Sequence, residues 1–235
     1  MTDYRTHQER IIDRLRIGAG QPGAKATVVP MKRDHRNDPA IGLTSVTFVP
    51  DGPGRAITHN IINPLRAIES VHYYYPPESL HLTVKNVRSV HNPPQFTAAD
   101  VKKVDRLFAQ VIPRHRSFSV QLEELVPFST SLSLIAYSDD GLHRLVQALD
   151  AGLYDIGVPD DKRYVSREVI FGNVTLCRYV QPPSERFLNA VAEQARAFTA
   201  ELRIEAVHLI TCNAVCAPES LDFMASYWLH GSRSG

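Results

Sequence analysis

The chain has 235 residues, 43% hydrophobic and 22% charged, with 12 Gly and 16 Pro, the profile of a globular protein with a sizeable core and not of a collagen-like or low-complexity chain. Lys and Arg total 26 against 25 Asp and Glu, a formal net charge of +1, which gives no bulk attraction for duplex DNA and requires any phosphate binding to be local. Met1 to Leu15 is polar, and no apolar run is long enough to span a bilayer, so a cytoplasmic protein without a membrane partner is expected. Three cysteines, Cys177, Cys212 and Cys216, cannot make an even disulfide framework and suit a reducing compartment.

Along the chain, Ile11, Ile12 and Leu15 at helical spacing predict an amphipathic helix over Asp3 to Ile17. The Gly- and Pro-bearing stretch that follows, with Lys32, Arg33, Asp34, Arg36 and Asp38, reads as loop, so residues 1–41 are expected to form an extension ahead of a single domain over 42–235. SVTFV at 45–49 predicts a strand, and Ile61, Ile62, Leu65 and Ile68 a helix whose upstream reach Pro64 limits. Leu80 to Val87 is the next strand. Thr97 to Val111 reads as a helix with Thr97 as N-cap and Asp100 three residues on. Strands are expected around Phe118 to Glu123 and 131–137, a helix through Leu142 to Leu153, and a strand from Arg167 to Arg178. A helix over Ser184 to Ala200 and strands near Ile204 to Ala214 and Phe223 to Leu229 complete a mixed pattern of helices and strands.

Two of these strands share a pattern: HLTV at 81–84 and NVTL at 173–176. Each places a hydrogen-bonding side chain two residues before a threonine, and strand side chains alternate with period two, so both members of each pair face the same way. Across a cleft, His81 can exchange a proton while Thr83 and Thr175 hydrogen-bond phosphoryl oxygens, an arrangement that needs no metal.

The two motifs resemble those of the 2H phosphoesterases, in particular the bacterial 2'-5' RNA ligase-like proteins and RNA 2',3'-cyclic phosphodiesterases. HLTV from His81 looks like the first His-x-Thr motif, and FGNVTLCR, Phe171 to Arg178, like the second. The resemblance covers roughly residues 42 to 230 and implies an α+β fold of two lobes. Two antiparallel-rich sheets would flank a central cleft, with helices outside. It also implies a phosphodiesterase acting on a cyclic phosphate or a related nucleotide or RNA-end phosphodiester, with no cofactor. The site residues implied are His81, Thr83, Asn173 and Thr175. The departure is Asn173, which stands where the family has its second histidine. Asn donates a hydrogen bond but does not exchange a proton near neutral pH, so noncatalytic recognition of a nucleotide or RNA end in the same cleft is the alternative.

Around these motifs Lys85 shares the His81 face on strict alternation, as cleft charge or as a solvated lysine, whereas Arg178 alternates away from the threonines unless the strand twists. Tyr75, with Tyr73 and Tyr74, either stacks on a base or covers the core edge. His91 and His143 are candidates for the missing base. His208, Cys212 and Cys216 recur at four-residue spacing, but without a Cys-x-x-Cys pair they read as buried structural groups before they read as zinc ligands.

Overall fold

The computed structural model describes residues 2–19, 34–161 and 169–232. Most of the loop expected after the first helix, including Lys32 and Arg33, lies outside the described residues, as do Arg167 and the residue after it. The first helix, α1, runs Thr2–Ala19. It is followed by β1 (Ile41–Phe48), a helical stretch from Asp51 to Ile68 that comprises α2 (Asp51–Ile57), a π segment (Thr58–Ile62) and α3 (Asn63–Ile68), then β2 (Tyr73–Tyr74), β3 (His81–His91) and the helix α4 (Ala98–Val111). Next come β4 (Phe118–Pro127), β5 (Ser131–Ser138), α5 (Asp140–Asp155), β6 (Gly172–Arg178) and α6 (Glu185–Glu193), and then β7 (Thr199–Ile204), β8 (Ala206–Cys212) and β9 (Asp222–Trp228). No helix among the described residues is long and apolar enough to cross a membrane.

Pro64 explains the π segment between α2 and α3. A proline inside a regular helix lacks the N–H for its bond and clashes with the carbonyl four residues back, and a wider turn just upstream relieves both. The start of α4 follows the sequence directly: Thr97 accepts from the Asp100 N–H at 3.2 Å, while the Asp100 carboxylate accepts from the Thr97 N–H at 2.9 Å. Helix α6 departs from expectation. It begins at the Ser184 cap but ends at Glu193, and Thr199 and Ala200 belong to β7, where they pair with Glu123 and Leu122 of β4. Helical propensity in the alanine-rich stretch yields there to a strand partner.

Pairing orders the sheet β7–β4–β5–β6–β3–β1–β8–β9, with β2 alongside β6. It consists of two four-stranded antiparallel halves, β7–β4–β5–β6 and β3–β1–β8–β9, which meet where Leu82 of β3 opposes Val174 of β6. At this joint a Cβ on Gly172 would fall 2.5 Å from the Leu82 side chain, so glycine lets β6 and β3 approach. Helix α5 covers the sheet face that carries Lys85, packs on α4, and buries Leu142, Leu145, Val146, Leu149 and Leu153.

Helix α1 packs on the other face, over β4 and β5. Its Ile12 is fully buried against Val126, Ile135 and Tyr137 in a second, smaller apolar cluster. All eight residues of β5 are consequently buried, which accounts for a run, SLSLIAY, with apolar residues at adjacent positions as well as alternate ones.

Candidate active site

Strands β3 and β6 are antiparallel, and Leu82 opposite Val174 points into the core. Continuing that register sets His81 beside Thr175 and Thr83 beside Asn173 on the opposite face, so each motif's first residue neighbours the other motif's threonine. Each strand then carries a bulge directly after its threonine. In β3, Val46 pairs with Thr83 and Ser45 with Lys85, leaving Val84 as an extra residue. In β6, Ser133 pairs with Thr175 and Leu132 with Cys177, leaving Leu176 extra. A bulge inserts one residue without a partner and resets the alternation. His81, Thr83 and Asn86 therefore share one face, as do Asn173, Thr175 and Arg178, and all six line one cavity of about 500 Å³.

The two bulges correct two expectations from simple alternation. Lys85 does not reach the cleft: it turns to the helical side, where its side chain is fully buried and its ammonium pairs with Asp150 and Asp160 at 2.7 Å each. Arg178 comes back onto the threonine side, where its Nε donates to the Tyr75 hydroxyl at 3.4 Å and its Nη1 to the Thr130 hydroxyl at 3.3 Å.

His81 is partly buried at the start of β3, and its Nδ1 lies 2.7 Å from the Ser79 carbonyl oxygen. A carbonyl only accepts, so Nδ1 carries the proton and the neutral ring keeps the lone pair on Nε2. Burial lowers the pKa of this imidazole, the Ser79 bond opposes the shift, and the nearby Arg178 lowers it further. At neutral pH the group is an unprotonated base.

On β6, Asn173 Nδ2 donates to Ser133 Oγ at 3.2 Å and approaches Thr175 Oγ1 at 3.4 Å. Ser133 Oγ lies 3.5 Å from Thr175 Oγ1, so the three side chains form a small polar cluster. The cavity also receives Arg88, whose Nη1 donates to the carbonyls of Val87 and Pro159. No carboxylate lines the cavity among the described residues, while Arg88 and Arg178 both do. In a chain of net charge +1 this concentrates positive potential in one place and suits an anion.

Tyr75 also lines the cavity, but it is only 2% exposed: its hydroxyl accepts from Arg178, and its ring packs edge-on to Tyr73 at 5.4 Å between centroids and against the His81 ring at 6.2 Å. Tyr74 is buried too, donating to the carbonyl oxygens of Leu65 and Glu69, so neither ring offers a free face for a base. His91 and His143 do not line the cavity; His143 stacks on Tyr4 with ring centroids 6.0 Å apart. His208 is hydrogen-bonded to Ser226 at 2.8 Å. Cys212 and Cys216 are buried free thiols, and the neighbouring Cys212 and burial both push the Cys216 thiol up, towards its protonated form. Among the described residues no group of three His, Cys, Asp or Glu is placed to hold a metal ion.

Sequence reasoning missed Ser133, Asn86 and Arg88. Ser133 is fully buried and does not line the cavity; it sits in a run of alternating serines on a strand buried throughout, which gave no sign that one of them is the hydrogen-bond partner of Asn173 and Thr175. Asn86 and Arg88 depend on the β3 bulge.

No family model and no curated protein sequence matches the chain. Solved structures do. A crystal structure of a phosphoesterase is similar over 82% of this chain and 99% of its own, with a TM-score of 0.57 and 14% identity. A protein of Thermus thermophilus is similar over 82% of this chain and 100% of its own, with a TM-score of 0.59 and 16% identity. E. coli LigT in complex with 3'-AMP matches over 82% and 99%, also with a TM-score of 0.59 and 16% identity. The chain thus has the two-lobed α+β fold of the phosphoesterase and of LigT, with its two motif strands at the joint between the lobes.

Proposed function

We propose that the chain is a 2H-type phosphodiesterase acting on a cyclic phosphate or a related nucleotide or RNA-end phosphodiester. The observation that carries this reading is the convergence of His81, Thr83, Asn173, Thr175 and Arg178 on one cavity without a lining carboxylate among the described residues. Phosphate oxygens would accept hydrogen bonds from Thr83 and Thr175 and from the Arg178 guanidinium, which Tyr75 and Thr130 hold in place. Support for a nucleotide ligand comes from E. coli LigT, which shares the fold and was crystallised with 3'-AMP.

In this reading His81 Nε2 takes the proton of an attacking water as its oxygen bonds to phosphorus, and the bond from phosphorus to a ribose oxygen breaks. Asn173 hydrogen-bonds the phosphate or the departing oxygen but supplies no proton, so that oxygen is protonated from solvent or by the imidazolium just formed. The loss of one acid/base group makes this a slow enzyme, by about 10²- to 10⁴-fold relative to a site with both. The second reading, a noncatalytic module recognising nucleotides or RNA ends, is favoured by the same residue, since the Asn173 amide is already held by Ser133.

Hydrolysis of 2',3'-cyclic nucleotides and of short RNAs ending in cyclic phosphate tests the two. Turnover that falls about 10²-fold or more in His81→Ala supports the enzyme. Ligand binding without turnover, in wild type as in His81→Ala, supports the binding module.

A further inference from the structure

We propose that α1 forms the wall of the cleft against which the nucleoside part of a phosphate ligand packs, so that Ile11 and Leu15 set the preference of the cavity for nucleotides over inorganic phosphate. The proposal deepens the phosphate reading given above and rests on it.

The cavity lining is chemically mixed. The two motif strands contribute hydroxyls, an imidazole and a guanidinium, and Ile11 and Leu15 of α1, with Phe128, Val169, Ile170 and Phe171, contribute apolar groups, Ile11 being largely buried at 5% exposure. A bare phosphate satisfies the polar groups and leaves the apolar ones facing water. A nucleotide joins an anion to a flat base whose π-faces are apolar, and can engage both kinds of group. Covering aliphatic surface is favourable in proportion to its area, so the gain falls on the nucleoside and not on the phosphate.

The wall is fixed in place and does not lie loosely over the opening. The Tyr4 hydroxyl donates to the Ile170 carbonyl at 3.1 Å and accepts from the Ile170 N–H at 3.0 Å, and Gln8 Nε2 donates to the same carbonyl at 2.8 Å. Arg5 pairs with Glu123, and its guanidinium lies 3.3 Å from the centre of the Tyr137 ring. Ile12, next to Ile11, is fully buried against Val126, Ile135 and Tyr137. Ile170 precedes Asn173 by three residues, so the clamp ties α1 directly to the strand that carries the second motif. A wall this rigid is pre-organised for a ligand of matching shape. Leu15 is only partly buried, so its side chain offers surface that a ligand can still cover.

Calorimetric titration of the full chain with inorganic phosphate and with adenosine 3'-monophosphate tests this, comparing wild type with Leu15→Ala, Leu15→Met and Ile11→Val. The nucleotide is expected to bind wild type about 10-fold or more tightly than phosphate. Leu15→Ala is expected to weaken the nucleotide about 5- to 10-fold while leaving phosphate unchanged, Leu15→Met to restore it, and Ile11→Val to give a smaller loss of the same kind. Equal effects on both ligands, or no effect on the nucleotide in any variant, would overturn the proposal and leave α1 a purely structural element. Wild type that binds phosphate but prefers no nucleotide overturns this proposal alone, whereas wild type that binds neither overturns the phosphate reading with it.

Discussion

The two halves of the cleft are built alike and equipped differently. Strand β3 presents His81, Thr83 and Asn86, and β6 presents Asn173, Thr175 and Arg178, at the same offsets of two and five residues with a bulge after each threonine. The backbone repeats, but the chemistry divides. The β3 half holds the titratable imidazole of His81, with its tautomer set by Ser79; the β6 half has Asn173 at the position corresponding to His81 and the Arg178 cation at the position corresponding to Asn86, held by Tyr75 and Thr130. In such a site, charge neutralisation and proton transfer can be removed one at a time, since they depend on different strands.

The largest effect on the comparison should come from behind the cleft. Lys85 is fully buried between Asp150 and Asp160, and Asp160 is itself only 3% exposed. Lys85→Ala takes the ammonium away from a buried carboxylate and is expected to cost about 3–5 kcal/mol of stability, read as a lower denaturant midpoint. A midpoint unchanged from wild type would mean that the β3 bulge does not hold Lys85 in the core. The next effect belongs to the β6 half: Arg178→Gln should reduce kcat/KM by about 10- to 100-fold, the worth of a charged hydrogen bond to phosphate.

The same variant carries a sign test. The acidic limb of the wild-type pH–rate profile should lie below the ordinary imidazole value of 6.5, because burial and then Arg178 disfavour the imidazolium of His81. Activity should therefore be full at neutral pH and be lost as His81 protonates at lower pH. Removing the Arg178 charge should move that limb upward, and a limb that stays put would break the link between the two halves. The smallest expected effect is at Ser133: Ser133→Ala removes the nearer of the two acceptors of Asn173 Nδ2, leaving Thr175 Oγ1, and should change kcat/KM by about 10-fold or less, with KM moving more than kcat if Asn173 only orients the ligand.

Much of this arrangement was legible in the sequence where a local rule governed it. The Thr97 cap, the helices α1, α4 and α5 and the facing of His81 with Thr83 and Asn173 with Thr175 follow from periods of 3.6 and 2. The bulges did not, because an extra residue shows only against the partner strand's register; Lys85 and Arg178 accordingly sit on the faces opposite to those that alternation assigns. The end of α6 was obscured for a related reason, since Thr199 and Ala200 answer to β4 and not to their neighbours in sequence. Ser133 was hidden because burial on both faces of β5 erases the alternation that would mark it, and the approach of Ile11 and Leu15 to the cavity was hidden because it depends on how α1 docks, which its own helical period does not show.

The division of labour between the halves is tested most directly by Asn173→His, assayed on 2',3'-cyclic nucleotides beside wild type and the double variant with His81→Ala. Supplying the β6 half with a proton-exchanging group should raise kcat by about 10²-fold or more, and the gain should disappear when His81 is removed. A folded Asn173→His protein no more active than wild type, or one whose activity survives the loss of His81, would contradict a single cleft in which both strands act on one phosphate.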